Sequence, residues 1–158
     1  MDIEDFCREH LNITLRPHQR EWLDFIDNNQ AVMLLAPRGH GKSTIMYCYI
    51  VWKICMDPDT RILIASHKEE LANTFSRMIQ IALEREDIQE TFNIRRGKPW
   101  RVDYFFFKEK RHPVVQTVAK QAGMTGGRYD IVVFDDLLTV ENSRGEKRRS
   151  QMEEWINS

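Results

Sequence analysis

The sequence predicts an α/β domain built on a mostly parallel sheet with helices on both faces. Three observations lead there. Short apolar runs of strand length alternate with longer helical patterns through the 158 residues. A glycine-rich turn, APRGHGKST at 36–44, joins an apolar run to an apolar helix, and a second apolar run, IVVFDD at 131–136, ends in two acids. Strands alternating with helices favour parallel pairing, because a parallel neighbour is reached only through a crossover, usually a helix.

Each element has its own reason. Pro17 suits the first turn of a helix through about residue 28, with Trp22, Phe25 and Ile26 on one side. AVMLLA at 31–36 is a continuous apolar run of strand length, as expected for a strand buried on both faces. Residues 43–56 are apolar enough for a buried helix, and RILIAS at 61–66 reads as a second buried strand. Ser66 and Glu69 have capping-box spacing, and the helix they would open carries Leu71, Phe75, Met78, Ile79, Ala82 and Leu83 at three- and four-residue intervals. Residues 100–107 and 114–119 read as two strands of a hairpin around the charged KEKRHP. The loop GMTGGR leads into the strand IVVFDD, and Ser143 with Glu146 would cap a last helix running towards Trp155.

Composition narrows the functional classes. No repeat or Gly/Ser linker divides the chain, so 1–158 reads as one domain. The longest apolar run, 45–52, falls well short of the roughly 20 residues needed to span a bilayer, and the acidic start MDIEDF is unlike a signal peptide, so no membrane role and an intracellular place are expected. Cys7, Cys48 and Cys55 lack metal or disulfide spacing and read as reduced core thiols. The 23 Lys and Arg nearly balance the 24 Asp and Glu, yet unevenly. Residues 1–30 hold seven acids and three arginines, whereas 93–111 hold seven bases and two acids, so a polyanion-facing side would lie late in the chain.

The segment 36–44 carries the chemistry. It has the form G-x-x-x-x-G-K-[ST] with Ala36 in place of the first glycine, set between an apolar run and a helix. Gly39 and Gly41 allow a tight turn and close approach of backbone N–H groups to phosphate oxygens; His40 and Thr44 belong to the same nucleotide-binding stretch. Lys42 would bring a charge to the outer phosphates, and the Ser43 hydroxyl would ligate Mg2+ at a helix N-terminus that favours anions. Asp135 would complete the metal shell, and Asp136 would orient or deprotonate the attacking water. Arg38, within the loop, and Arg128, eight residues before Asp136, are the two candidate arginine fingers. No cluster of acids beyond the Asp135–Asp136 pair could assemble a two-metal nuclease site. His40 and His67 have no metal-ligand spacing and no assigned catalytic role.

APRGHGKST, RILIASHKEELANTFSRMI and GGRYDIVVFDDLLTVENSR together resemble the ATPase part of the large terminase subunit of tailed bacteriophages, over residues 15–155. The resemblance implies a RecA-like (ASCE) P-loop NTPase with Walker A and Walker B motifs, ATP and Mg2+ as cofactors and double-stranded DNA as substrate. It also implies assembly into a ring, with portal and small terminase subunit as partners, acting in the host cytoplasm at the procapsid. LRPHQREW at 15–22 is similar to the adenine-reading segment of these motors, which makes Gln19 the candidate reader, since a Gln amide can pair with the N6 and N7 edge of adenine. Asp136 departs from the glutamate usual in the family. By the same resemblance the chain is truncated after the Walker B strand and one helix, and lacks the coupling strand and C-terminal nuclease domain. The bases of 95–111 and RGEKRR at 144–149 are candidates for DNA phosphate contact. Two alternatives stand beside this reading: a superfamily-two helicase-like translocase, disfavoured because Asp135-Asp136-Leu137-Leu138 is not D-E-x-H/D, and a nucleotide-binding module with negligible turnover.

Overall fold

The computed structural model describes residues 1–119 and 127–135. They divide between two compact units, one of Met1–Asp59 with Met78–Arg96, the other of Thr60–Arg77 with the chain from Gly97 onward. No helix among the described residues is long and apolar enough to cross a membrane.

The first unit is helical. α1 (Ile3–His10) starts where the Asp2 carboxylate accepts from the N–H groups of Glu4 at 2.8 Å and Asp5 at 3.0 Å, which satisfies two of the donors a helix start leaves open. Its Phe6 is buried with its ring centroid 5.5 Å from that of Phe92. α2 (Pro17–Asp27) begins at Pro17 as expected; Trp22 and Ile26 are half-buried, Leu23 is its buried residue at 1% exposure, and Phe25 is 54% exposed. α3 (Lys42–Met56) buries Ile45, Cys48, Ile50, Val51, Ile54 and Cys55. Each fully buried aliphatic side chain of this kind stabilises by roughly 1.5–3 kcal/mol. All three cysteines are free and buried, as their sequence setting suggested.

The second unit is built on the sheet. Its strands are β1 (Ile62–Ser66), β2 (Arg96–Trp100), β3 (Tyr104–Phe107), β4 (Val115–Ala119) and β5 (Ile131–Asp135), in spatial order β2-β3-β4-β1-β5. β1 is buried at all five positions and lies between β4 and β5, parallel to both, with Ser66 in register with Ala119 and Asp135. Arg61 pins the entry of β1 to that of β5: its backbone N–H, Nε and Nη2 donate to the Asp130 carboxylate at 2.8, 3.1 and 3.1 Å. β3 and β4 are the expected hairpin, antiparallel with Tyr104 opposite Gln116, so the sheet is mixed. α4 (Glu69–Leu83) spans both units, and the Thr117 hydroxyl of β4 donates to Asn73 Oδ1 at 2.7 Å. α5 (Glu86–Thr91) completes the first unit.

Three sequence expectations need correction. Residues 31–36 join no strand ladder among the described residues, and Met33 and Leu35 are 76% and 85% exposed. An apolar run shows that a segment tolerates burial, whereas a strand also requires a partner that the run does not specify. The first hairpin strand begins at Tyr104 and not at residue 100, because Trp100 ends the separate strand β2. Ser66 does not open α4: it ends β1, its Oγ is buried without a hydrogen bond, and Lys68 O accepts the first backbone bonds of the helix. The last helix, with Ser143 and Glu146, lies outside the described residues.

Candidate functional site

Residues 37–41 turn the chain from the 31–36 segment, exposed at alternate positions, into α3. Two glycines make the turn possible: Gly39 at φ +84° and Gly41 at φ +80° occupy the left-handed region, where a Cβ is penalised. Gly41 is also the N-cap of α3, with Ile45 N donating to its carbonyl at 2.9 Å. Lys42 is therefore the first helical residue and Ser43 and Thr44 follow in the first turn, both exposed. The amides of that turn have no carbonyl four residues earlier within the helix to bind, and the helix dipole adds positive potential there. An anion is the natural complement.

The Lys42 ammonium folds back on its own loop. Nζ donates to the carbonyl of Ala36, and to that of Pro37 at 3.2 Å. Two carbonyls thus hold the charge beside the turn, with no acid partner among the described residues. Arg38 and His40 are exposed, and the His40 ring Nδ1 lies 3.4 Å from Arg38 O.

Gln19, 22 residues before Gly41, reaches the loop from α2. Its Oε1 accepts from Arg16 N–H at 2.9 Å, the reach-back bond of a helix N-terminus, while Nε2 donates to His40 O at 3.4 Å. A Cβ on Gly41 would stand 2.6 Å from that Nε2, so the glutamine occupies the space that a side chain at 41 would need. Sequence reasoning missed its neighbour His18, whose ring lies 5.0 Å from that of Trp22 and 6.2 Å from that of His40, with Nε2 buried and unpartnered. Adjacency to Gln19 was the only available signal. Nothing in the sequence marked the carbonyls of Ala36 and Pro37.

The structure thus gathers Gln19, Arg38, Gly39, His40, Gly41, Lys42, Ser43 and Thr44 around one turn of the first unit. Arg128 and Asp135 belong to the second unit. Arg128 is exposed ahead of β5, and Asp135 is the last residue of that strand, at the C-terminal end of the parallel trio β4, β1 and β5. Open α/β sheets place ligands at such ends. Asp136 and the basic run at 144–149 lie outside the described residues.

Fold and site define a class: an α/β protein with a mixed five-stranded sheet and a glycine-turned, lysine-bearing loop at the start of a buried helix. The particular family follows from comparison with known proteins. Residues 33–149 match the family model described as terminase large subunit, T4likevirus-type, N-terminal, and the chain belongs to that family. It is also similar to the protein named "Terminase, large subunit" of Enterobacteria phage T3, with 30% identity over 128 residues, covering 79% of this chain and 22% of the phage protein. The chain therefore spans less than a quarter of that relative's length.

Proposed function

We propose that this chain is the Mg2+-dependent ATP-binding and hydrolysing part of a viral motor that packages double-stranded DNA, with a RecA-like P-loop core. The observation that carries the reading is the loop itself. Two left-handed glycines deliver Lys42 and Ser43 to the first turn of a buried helix, where amides and dipole favour phosphate. Membership of the terminase large subunit family supports the DNA substrate, the ring assembly, the portal and small-subunit partners, and a site of action at the procapsid in the host cytoplasm.

In this reading the backbone amides of 39–44 cradle the phosphates. Lys42 leaves the carbonyls of Ala36 and Pro37 for the outer phosphate oxygens, exchanging two neutral acceptors for a charged one. Gln19, already against the loop, reads the adenine edge. The Ser43 hydroxyl and the carboxylate of Asp135 are hard oxygen donors of the kind Mg2+ prefers. When bound, the metal neutralises charge on the transferring phosphoryl group. Asp136 orients the attacking water, and Arg38 in its own site or Arg128 in a neighbour's stabilises the charge that develops.

Calorimetric titration of Mg-ATP into wild type and Lys42→Ala tests the proposal. Loss of a charged hydrogen-bonding partner of about 1.5–3 kcal/mol should weaken binding roughly ten- to a hundredfold. Equal affinities in the two proteins would remove this loop from consideration.

A further inference from the structure

Strand pairing concentrates positive charge that is dispersed along the chain. An ideal Cβ built on Gly97 would lie 2.5 Å from the carbonyl carbon and oxygen of Phe107 and 2.8 Å from Lys108 N. The backbone of β2 therefore runs hard against the end of β3, and Lys98 comes beside the turn that carries Lys108, Lys110 and Arg111. Lys98 and Arg111 are exposed, the Lys108 side chain is 59% exposed, and Lys110 is half-buried. Glu109 is the one acid of this turn; its carboxylate lies 3.9 Å from Lys108 Nζ with its side chain 84% exposed, a geometry in which solvent leaves little attraction. Asp103 is committed elsewhere, to Arg101 at the other end of the ribbon, at 3.0 Å. Among the described residues of this end, Lys98, Lys108 and Arg111 are thus three exposed cations beside one weakly held acid.

The rings interleaved with these bases are only partly exposed and pack on one another. Trp100 packs against Phe105 and Phe107, with centroids 4.6 and 6.2 Å away, and both phenylalanines are buried. Tyr104 and Phe106 pack on each other edge to face at 6.2 Å. The exposed Lys98, Lys108 and Arg111 side chains beside them are charged, and charge reads phosphates.

We propose that Lys98, Lys108 and Arg111 form a sequence-independent contact for the phosphate backbone of double-stranded DNA. The identity of the polyanion rests on the packaging function proposed above, whereas the surface is independent of the nucleotide site.

The test is the salt dependence of binding to a labelled duplex of about 30 base pairs, read by fluorescence anisotropy between about 50 and 200 mM salt. Three neutralised phosphates predict that wild type loses about 40-fold in affinity over that range, while Lys98→Gln/Arg111→Gln, left with about one, loses only 3- to 4-fold. Both proteins should bind Mg-ATP equally, which shows that the variant is folded. A variant with the wild-type salt slope overturns the proposal, as does tighter binding of a single strand of equal length that the two substitutions leave unchanged. Absence of Mg-ATP binding in wild type would sink the nucleotide reading, while the salt slopes would still decide this one.

Discussion

Gly39→Ala and Gly41→Ala impose nearly the same backbone penalty, so the difference between them measures what Gln19 contributes. At φ +84° and +80° an alanine costs about 1–2 kcal/mol at either position. At Gly39 nothing lies within 4 Å of the new Cβ, so that is the whole cost. At Gly41 the Cβ would stand 2.6 Å from Gln19 Nε2, and the amide must move away. It then gives up its donation to His40 O and its acceptance from Arg16 N–H. Losing the helix-start bond costs about 1 kcal/mol, which brings Gly41→Ala to about 2–3 kcal/mol. Urea unfolding of the two variants and of Gln19→Ala/Gly41→Ala supplies the comparison. The double variant should show a coupling of about 1 kcal/mol, because without the glutamine side chain the new methyl has room. Equal losses in the two glycine variants, or strict additivity in the cycle, would refute a side chain wedged against the loop.

Other outcomes follow from the same structure. Arg61 holds the Asp130 carboxyl below the ordinary carboxylate range, so the stability from this pair is fully present above about pH 4 and is lost as pH falls through the depressed folded value. Asp130→Asn should therefore cost up to about 1 kcal/mol near pH 7, with the two urea curves converging in acid. Asp136→Asn should retain ATP and lose turnover in a phosphate-release assay, while Asp136→Glu keeps or raises it; unchanged hydrolysis in the first would place the catalytic carboxylate elsewhere. Mixing Arg128→Ala with Lys42→Ala should restore some ATPase activity through hybrid interfaces, and mixing Arg38→Ala with Lys42→Ala should not. The reverse pattern would exchange the roles of the two arginines.

What was legible in the sequence is what is encoded locally. α2, α3 and α4 follow from a proline at a helix start and from apolar spacing, and β1 and β5 from short apolar runs. The loop residues 36–44 were identifiable because they are contiguous. α1 carried a signal in Asp2 ahead of Phe6 and Cys7, but the segment registered only as acidic charge. β2, with the sequence RGKPW, has no strand composition and becomes a strand because β3 offers it a ladder. The converse holds for 31–36, which has strand composition and no ladder among the described residues. Through-space relations were invisible for the same reason: neither Gln19 against Gly41 nor Lys98 beside Lys108 is written in any local window.

The segment between α2 and α3 also bears on how a cell would treat this chain. Met33 and Leu35 stand largely in solvent on backbone outside any ladder among the described residues, the appearance by which holdase chaperones and proteases recognise unfinished proteins. A backbone outside any ladder beside exposed apolar side chains offers a template for intermolecular strand addition. The stretch that leads directly into the glycine turn is thus also where self-association and quality control would compete for the molecule. Covering it would protect the protein and steady the loop in a single event.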